Sequence, residues 1–266
     1  MKTLISIFMI AAIAVFFCAG ETAAAGSDED IVLAMPFDEG EGNSTMDISP
    51  HGNHGTLMEN ASWGAGKFGN AVQFEPVGYV DAGNDESLSL SGTDFTLAVW
   101  VNMTDTVGHQ HGFMAQDEGG GPRNKWILRY NRGASQSVNF HINTADGGSM
   151  QLEPGLWDVQ PNTWHQVAVV RAGNAYTFFT DGEQSAQLEN DLPVPPVIDA
   201  PVTVGWAEGP IAMSGLIDEA LIARRAFTSD EIKMHYDGGV QQLLVAVQPT
   251  GKSAAVWGNI KAKASR

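Results

Sequence analysis

Residues 214–239, SGLIDEALIARRAFTSDEIKMHYDGG, place an Asp-Glu pair, beginning at Asp218, inside an otherwise apolar run. The apolar run predicts a strand. After it, Thr228 and Glu231 form the spacing of a capping box, and Gly238 can end the helix in the left-handed conformation. A strand and one short helix therefore close the domain. A carboxylate buried in that strand needs a hydrogen-bonding partner or a cation.

The chain from residue 31 to residue 223 is a series of short β-like runs separated by Gly, Asn, Asp and Pro. Many short strands with frequent turns predict a sandwich or jelly roll. The clearest local signal is Asp181-Gly182 between two strand-like runs, because this pair tolerates the positive φ of a type I′ hairpin turn.

The first 25 residues have the layout of a cleaved secretory signal. Lys2 precedes an apolar run from Leu4 to Ala19, and small residues follow it. An uncleaved membrane anchor is the alternative, because the run approaches the ~20 residues that span a bilayer. The sequence predicts export to the outside of the cell or to the cell envelope, with no membrane insertion once the signal is cleaved.

Charge and cysteine content narrow the possible partners. The net charge of -17 opposes binding to nucleic acids and to anionic membrane surfaces. Cys18 is the only cysteine, and it lies inside the predicted signal. The mature domain must therefore be stabilised by its hydrophobic core, or by its core and a metal ion.

Four motifs in order carry a resemblance to a known family. GLIDEALIARRAFTSDEI is similar to the closing strand and helix of LamG-like domains of the concanavalin A-like lectin/glucanase superfamily. MPFDEGEGNSTMDISPHGNHGTL, GKFGNAVQFEPVGYVDAG and NTWHQVAVVRAGNAYTFFTDGE resemble its opening strand and turn, its second and third strands, and its Trp-His strand with an Asp-Gly hairpin. Together they cover residues 31–237.

The resemblance implies an all-β fold, a two-sheet antiparallel jelly-roll sandwich over residues 26–239 with one short C-terminal helix. The basic tail, residues 240–266, lies outside the family motifs. Within it, the apolar segment from Leu243 to Val247 is a possible edge strand, and the remaining end is expected to be disordered. A fold of this kind implies no single activity.

The resemblance also implies a structural calcium ion. The first and last strands of such a jelly roll run side by side, which would bring Asp218 near Asp38 and the turn at Asp47. Glu75 stands near a turn where the family usually has Phe-Asp-Gly. Calcium takes ~6 to 8 oxygen ligands, so these four residues are the candidate ligands. Alternatively, Asp218 pairs with an arginine or accepts backbone N–H bonds.

Carbohydrate or glycoprotein is the predicted partner. Aromatic rings stack on the apolar faces of sugars, and tryptophans near loops are candidates for this contact. Long segments at 104–124 and 144–163 could shape the site. The candidate ligand-binding residues are Trp157, Trp206, Trp126, Asp117, Arg123 and Asn124. A structural role is the alternative for each tryptophan.

No catalytic motif is evident. Glucanases of this superfamily carry Glu-x-Asp-x-Glu on one strand, and this motif is absent. His141 stands without the Gln-x-His motif and tyrosine partner expected of a lyase on this fold. The sequence therefore predicts a non-catalytic recognition or adhesion domain. The alternatives are a divergent glycoside hydrolase or polysaccharide lyase, and a structural envelope protein.

Overall fold

A computed structural model of the protein describes residues 28–106, 110–131, 136–209 and 211–247. The predicted signal, residues 1–25, and the end of the tail from residue 248 lie outside these ranges. The described chain forms two antiparallel sheets and one helix close to the C-terminal end. The predicted two-sheet jelly-roll sandwich is confirmed.

Sheet I contains seven strands in one path, with β1 paired beside it to β16. In spatial order the strands are β14 (Glu183–Glu189), β13 (Ala175–Thr180), β12 (His165–Ala172), β7 (Phe95–Met103), β16 (Gly215–Ala223), β5 (Asn70–Phe74) and β4 (Ala61–Ala65), and β1 spans Ile31–Met35.

Sheet II contains eight strands. In spatial order they are β11 (Ser149–Leu152), β10 (Ser137–Asn143), β9 (Lys125–Asn131), β8 (His111–Asp117), β15 (Val202–Val204), β6 (Tyr79–Asp81), β3 (Gly55–Met58) and β2 (Ser44–Thr45).

The main core lies between the two sheets. Phe95 of sheet I and Phe140 of sheet II meet with ring centroids 5.6 Å apart, and Tyr176 packs against both rings. Each of these side chains is almost fully buried. Alternation along each strand sends every second residue into this core and leaves the others on an outer face. Each sheet therefore has one outer face that must be covered or solvated.

The predicted hairpin is present between β13 and β14. Thr180 pairs with Glu183 across a two-residue turn. Asp181 and Gly182 have φ values of 52° and 80°. Both values lie in the left-handed region that a type I′ turn requires, so the prediction from Asp-Gly is confirmed.

Helix α1 (Ser229–Val247) covers the outer face of sheet I. Its capping box is formed as predicted, because Thr228 Oγ1 accepts the Glu231 N–H and Glu231 Oε2 accepts the Thr228 N–H. The helix is interrupted at Gly238 and Gly239. The left-handed residue is Gly239, with φ 69°, so the prediction that Gly238 takes this conformation is wrong by one residue.

The prediction of an edge strand from Leu243 to Val247 is also wrong. Val240, Leu243 and Leu244 lie on one side of the second half of α1 and pack in a second apolar cluster with Leu221. Their spacing is that of a helix face rather than of a strand, and sheet I offers them an apolar outer surface to cover.

The Asp-Glu pair in β16 lies where this strand changes its neighbour. One edge of β16 pairs with β5 up to Ile217 and with β1 from Ala220 onward, and the register with β7 shifts between Asp218 and Leu221. Glu219 has a φ of 55° in this bulge. First and last strands therefore run side by side, as predicted.

Glu219 ties helix α1 to this bulge. Its Oε2 accepts the Val240 N–H at 2.6 Å, and its backbone oxygen lies 2.8 Å from Nε2 of the buried His235. A Cβ atom at Gly239 would approach the Glu219 carboxyl carbon to 2.3 Å. The break in the helix thus needs glycine both for its positive φ and for this close approach.

Asp218 is fully buried and binds the turn between β4 and β5. Its Oδ2 accepts the N–H groups of Lys67 and Phe68 at 2.9 and 3.0 Å, and its Oδ1 accepts the Glu219 N–H at 2.9 Å. The sequence left two alternatives to a metal ion as the partner of Asp218, an arginine and backbone N–H groups. The structure shows backbone N–H groups. Three backbone N–H donors thus satisfy the buried carboxyl group of Asp218.

Burial also changes the acidity of the pair. Burial, with a smaller contribution from the neighbouring Asp218, raises the pKa of Glu219 from 4.5 to about 9. Burial raises the pKa of Asp218 from 3.8 to about 7, despite its three N–H donors, and Asp38 adds to the rise. Between pH 4.5 and about 9 the folded protein therefore keeps a proton on Glu219 that the unfolded chain releases. The free energy of unfolding should fall as the pH rises through this window.

We expect Glu219→Gln to flatten that pH dependence. Glutamine keeps an oxygen for the Val240 N–H and cannot ionise, whereas Glu219→Ala leaves this buried donor unpaired and should cost about 1–3 kcal/mol. Urea unfolding at about pH 5, 7 and 9 measures both effects. The control is Glu189→Gln, at an exposed position on the edge strand β14. Equal slopes for wild type and Glu219→Gln would contradict the assignment.

Candidate functional site

The outer face of sheet II is lined with polar side chains. One row crosses the sheet in register and contains Thr56, Asp81, Thr203, Ala115, Ile127, His141 and Gln151. Their strand neighbours, such as Val80 and Phe140, point into the main core. Ala115 and Ile127, in the middle of the row, are buried with Ala207 and Ile211 of the loop after β15, so the solvated polar part of this face lies toward the two ends of the row.

A guanidinium lies within this face. Arg129 is only 6% exposed, and its three nitrogens donate to the amide oxygens of Asn139 (2.9 Å), Gln110 (3.2 Å) and Gln151 (3.3 Å). Asn139 donates in turn to Glu153 Oε1 at 3.1 Å. Burial lowers the pKa of Arg129, and the Glu153 charge acts against this shift. The network holds the positive charge of Arg129 on the same face as the row, two residues along β9 from Ile127.

His141 lies beside this network and is 6% exposed. Its Nε2 lies 2.8 Å from Asn143 Oδ1, which can only accept, so the proton is assigned to Nε2. Nδ1 is then an acceptor, and it is buried without a hydrogen-bond partner among the described residues. Burial lowers the pKa of His141, and the Arg129 charge lowers it further, so this ring is neutral at pH 7.

A second charged group lies around Lys125, two residues before Ile127 on β9. Its ammonium is fully buried and lies 2.5 Å from Glu208 Oε2, 2.6 Å from the Gly119 oxygen and 3.4 Å from Asp117 Oδ1. Asp117 also accepts the N–H groups of Gly119 and Glu208. Burial raises the pKa of Asp117, and these N–H groups and Lys125 act against the rise. The cluster fastens two loops to the sheet.

Two aromatic rings lie at the other side of the same face. Tyr79 of β6 and Trp206, just after β15, have ring centroids 5.6 Å apart and planes inclined by 33°. Both side chains are half-buried, and Tyr79 alternates with the core residue Val80. Burial raises the pKa of Tyr79, and the charges of Asp81 and Glu59 add to it. We call these two rings the Tyr79–Trp206 pair.

The other two predicted tryptophans are placed differently. Trp126 is fully buried in the main core, and its Nε1 donates to Gln116 Oε1, so its ring cannot stack on a ligand and that prediction is wrong. Trp157 is half-buried and packs edge-on against Tyr130 and His165, at centroid distances of 6.1 and 5.4 Å. Trp157 thus closes the side of the core.

The predicted polar ligand residues hold loops together. Asn124 donates to the Val197 oxygen and accepts the Ala145 N–H, so both ends of its amide are used. Arg123 is exposed and donates to the Glu118 oxygen at 3.2 Å. Asp117 belongs to the Lys125 cluster. These three residues shape the rim of the face.

The four predicted calcium ligands do not form a cage. Asp38 accepts the Asn70 N–H and the Gln241 amide, while Asp47 accepts donors from Ala34, Ser49 and Asn53. Glu75 is exposed, and Asp218 is used as described above. In the described ranges no group of three or more His, Cys, Asp or Glu side chains could hold a metal ion. The residues present therefore do not fit the predicted ion.

Sequence reasoning did not select Arg129, Asn139, Tyr79 or Glu208. The signal is present in KWILRYN and SVNFHIN, where every second position except Ile127 is polar and large apolar residues stand between them. Such alternation indicates a strand with one core face and one polar face. Which of these polar residues become buried depends on the loops above them.

None of the helices in the described part of the chain is long and apolar enough to cross a membrane.

Comparisons with solved structures show the same sandwich. Domain 4 of AbnA, an extracellular arabinanase of Geobacillus stearothermophilus solved with arabinotriose, aligns with a TM-score of 0.63 and 17% identity over 76% of this chain and 96% of its own. The binding domain of Paraclostridial Mosquitocidal Protein 1 aligns with a TM-score of 0.61 and 13% identity, over 79% of this chain and 52% of its own.

The binding domain of botulinum neurotoxin serotype D aligns with a TM-score of 0.58 and 12% identity. The alignment covers 79% of this chain and 52% of that domain. This chain therefore spans about half the length of either toxin domain. Comparison with curated proteins finds no match. A family model, Laminin_G_3, described as concanavalin A-like lectin/glucanases superfamily, matches residues 76–233, more than half of the chain. Fold and family match agree: the protein belongs to the concanavalin A-like lectin/glucanase superfamily.

Proposed function

We propose that the protein is an exported, non-catalytic recognition domain that binds carbohydrate on the outer face of sheet II. The observation that carries the proposal is the Tyr79–Trp206 pair, two half-buried rings beside a row of polar side chains. A sugar ring offers an apolar face for an aromatic ring and hydroxyl groups for hydrogen bonding. Aromatic side chains with a few fixed polar groups are the usual lining of a small-ligand site.

The polar row beside the pair supplies fixed hydrogen-bonding groups. Asp81 is next to the pair on β6, and the exposed Thr56 pairs with Asp81 from β3. Side chains on sheet strands are positioned more rigidly than side chains on loops, so the entropy cost of ordering them on binding is small. This arrangement suits a saccharide that lies over β6 and β3 beside the Tyr79–Trp206 pair.

The comparisons support this proposal at the level of the fold. Domain 4 of AbnA, whose structure contains arabinotriose, is a sandwich of the same architecture. At 17% identity the likeness concerns the fold, and the sugar of that domain does not transfer to this chain. The outward-facing aromatic rings of this chain are the reason to look for carbohydrate.

The proposal of a non-catalytic domain rests on the burial and hydrogen bonding of Asp117, which lies beside Glu208. Asp117 and Glu208 both contact the Lys125 ammonium, a spacing that invites comparison with a glycosidase pair. However, the Asp117 side chain is only 3% exposed and its two oxygens accept backbone N–H groups. A general acid must reach the glycosidic oxygen with its proton, and Asp117 has neither access nor a free oxygen.

We expect Trp206→Ala to weaken oligosaccharide binding by at least about tenfold, because it removes one of the two stacking rings of the proposed site. Trp157→Ala is the matched control, since that ring packs at the side of the core and should change thermal stability more than affinity. A glycan array finds the ligand, and calorimetry on the best hit measures both variants. Equal affinities for Trp206→Ala and wild type would contradict the proposed surface.

A second prediction concerns turnover. Incubation of the protein with the polysaccharides that it binds should release no reducing ends and no unsaturated products absorbing in the ultraviolet. Release by wild type that is lost in Asp117→Asn and Glu208→Gln would contradict the non-catalytic proposal and support the hydrolase alternative.

A third prediction tests the calcium ion that the family resemblance implies. Because N–H donors already satisfy Asp218, Asp38 and Asp47, we expect the melting temperature to be the same with EGTA and with calcium. An ion bound only by the folded protein would raise that temperature. A loss with EGTA that excess calcium restores would reinstate the ion, and Asp218→Asn would then show whether Asp218 ligates it.

A further inference from the structure

Three arginines line one pocket at an end of sheet I. Arg171 near the end of β12, and Arg224 and Arg225 just after β16, surround a space of about 550 Å³ with Asp94 and Gly173. The space is widely open to solvent, so it is a depression on the surface rather than an enclosed cavity. Three guanidinium groups and one carboxylate give this pocket an excess of positive charge in a protein whose net charge is -17.

One of the three arginines is already neutralised. Arg225 makes a bidentate pair with Glu231, at 3.0 and 2.6 Å, and its Nε lies 3.7 Å from Asp30. Its guanidinium also lies 4.3 Å from the centre of the Phe227 ring. Arg225 therefore helps to attach helix α1. Its charge is neutralised, so it does not supply a free cation to the pocket.

The other two have no carboxylate partner among the described residues. Arg171 donates from Nη1 to the Thr93 oxygen at 3.1 Å, and its Nε is buried without any hydrogen-bond partner in the described ranges. Arg224 is exposed, and no described acidic residue lies within ion-pair distance of it. A guanidinium fork with free N–H groups matches the planar pair of oxygens of an oxyanion.

The loop that carries Thr93 and Asp94 is held in place from several sides. Thr93 Oγ1 donates to the Arg224 oxygen at 3.0 Å, and Asp94 Oδ1 accepts the Gly173 N–H at 2.8 Å. The Thr93 oxygen holds Arg171, as described above. The pocket walls are thus cross-linked before any ligand arrives, which lowers the entropy cost of binding.

We propose that this pocket binds a carboxylate or sulfate group carried by an oligosaccharide. The pocket is larger than an isolated anion needs, so it has room for the sugar that bears the group. A dense polyanion would be repelled by the net charge of -17, which favours a saccharide with few and well-spaced anionic groups. The site lies on sheet I and does not depend on the Tyr79–Trp206 pair.

The test compares four probes by calorimetry at low salt: a galacto-oligosaccharide with one terminal galacturonate, a galacto-oligosaccharide with one sulfate group, a neutral arabino-oligosaccharide of similar length, and sodium sulfate. We expect one of the two acidic oligosaccharides to bind, and its affinity to fall as the salt concentration rises. Arg224→Gln should weaken that binding by about fivefold or more, because it removes a charge-assisted contact from an exposed side chain.

Lys233→Gln is the matched control, since it removes one positive charge from an exposed position on α1 outside the pocket. Arg171→Gln is the second variant, with a thermal melt to show that it is folded. Trp206→Ala should leave acidic binding unchanged, which separates this site from the proposed function.

Three results would overturn the proposal. They are equal weakening by Arg224→Gln and Lys233→Gln, absence of binding by both acidic oligosaccharides, and binding of sodium sulfate without either of them.

Discussion

Two adjacent buried acidic side chains tie a turn and the helix to the closing strand of this sandwich. Asp218 and Glu219 lie at the bulge where β16 exchanges one neighbour for another, and the carboxyl group of each accepts backbone N–H groups from a different element. Asp218 binds the β4–β5 turn, and Glu219 binds the second half of α1. Taking such groups out of water is costly, so they persist only where their donors are in place. Loss of one carboxylate therefore loosens several elements together.

This constraint gives the two outer faces different roles. The bulge positions α1 over sheet I, where Leu221 and Phe179 form an apolar surface that the helix buries. Sheet II receives no helix in the described part of the chain, and its outer face is covered by Arg129, His141 and Lys125 with their partners. The Tyr79–Trp206 pair and the solvated polar groups beside it can exchange water for a polar ligand at low cost. We therefore propose that recognition takes place on sheet II.

The sequence predicted the sandwich, the Asp-Gly hairpin and the capped helix, because each depends on local chemistry within a few residues. It did not predict that α1 continues past Gly239, since this depends on the distant Glu219 meeting the Val240 N–H. Trp126 and Trp206 both looked like loop tryptophans in the sequence. One residue of strand register separates a ring in the core from a ring on the surface, and pairing across the sheet sets that register.

The distribution of positive charge follows from the same physics. A chain with 14 Lys and Arg residues against 31 Asp and Glu residues offers every cation many possible partners. Lys125 and Arg225 have taken carboxylates, and buried Arg129 is held by amide oxygens with Glu153 behind them. In such an acidic protein, two neighbouring arginines without a described carboxylate partner are therefore unexpected. An oxyanion that reached the exposed Arg224 and the half-buried Arg171 would form charge-assisted hydrogen bonds with both.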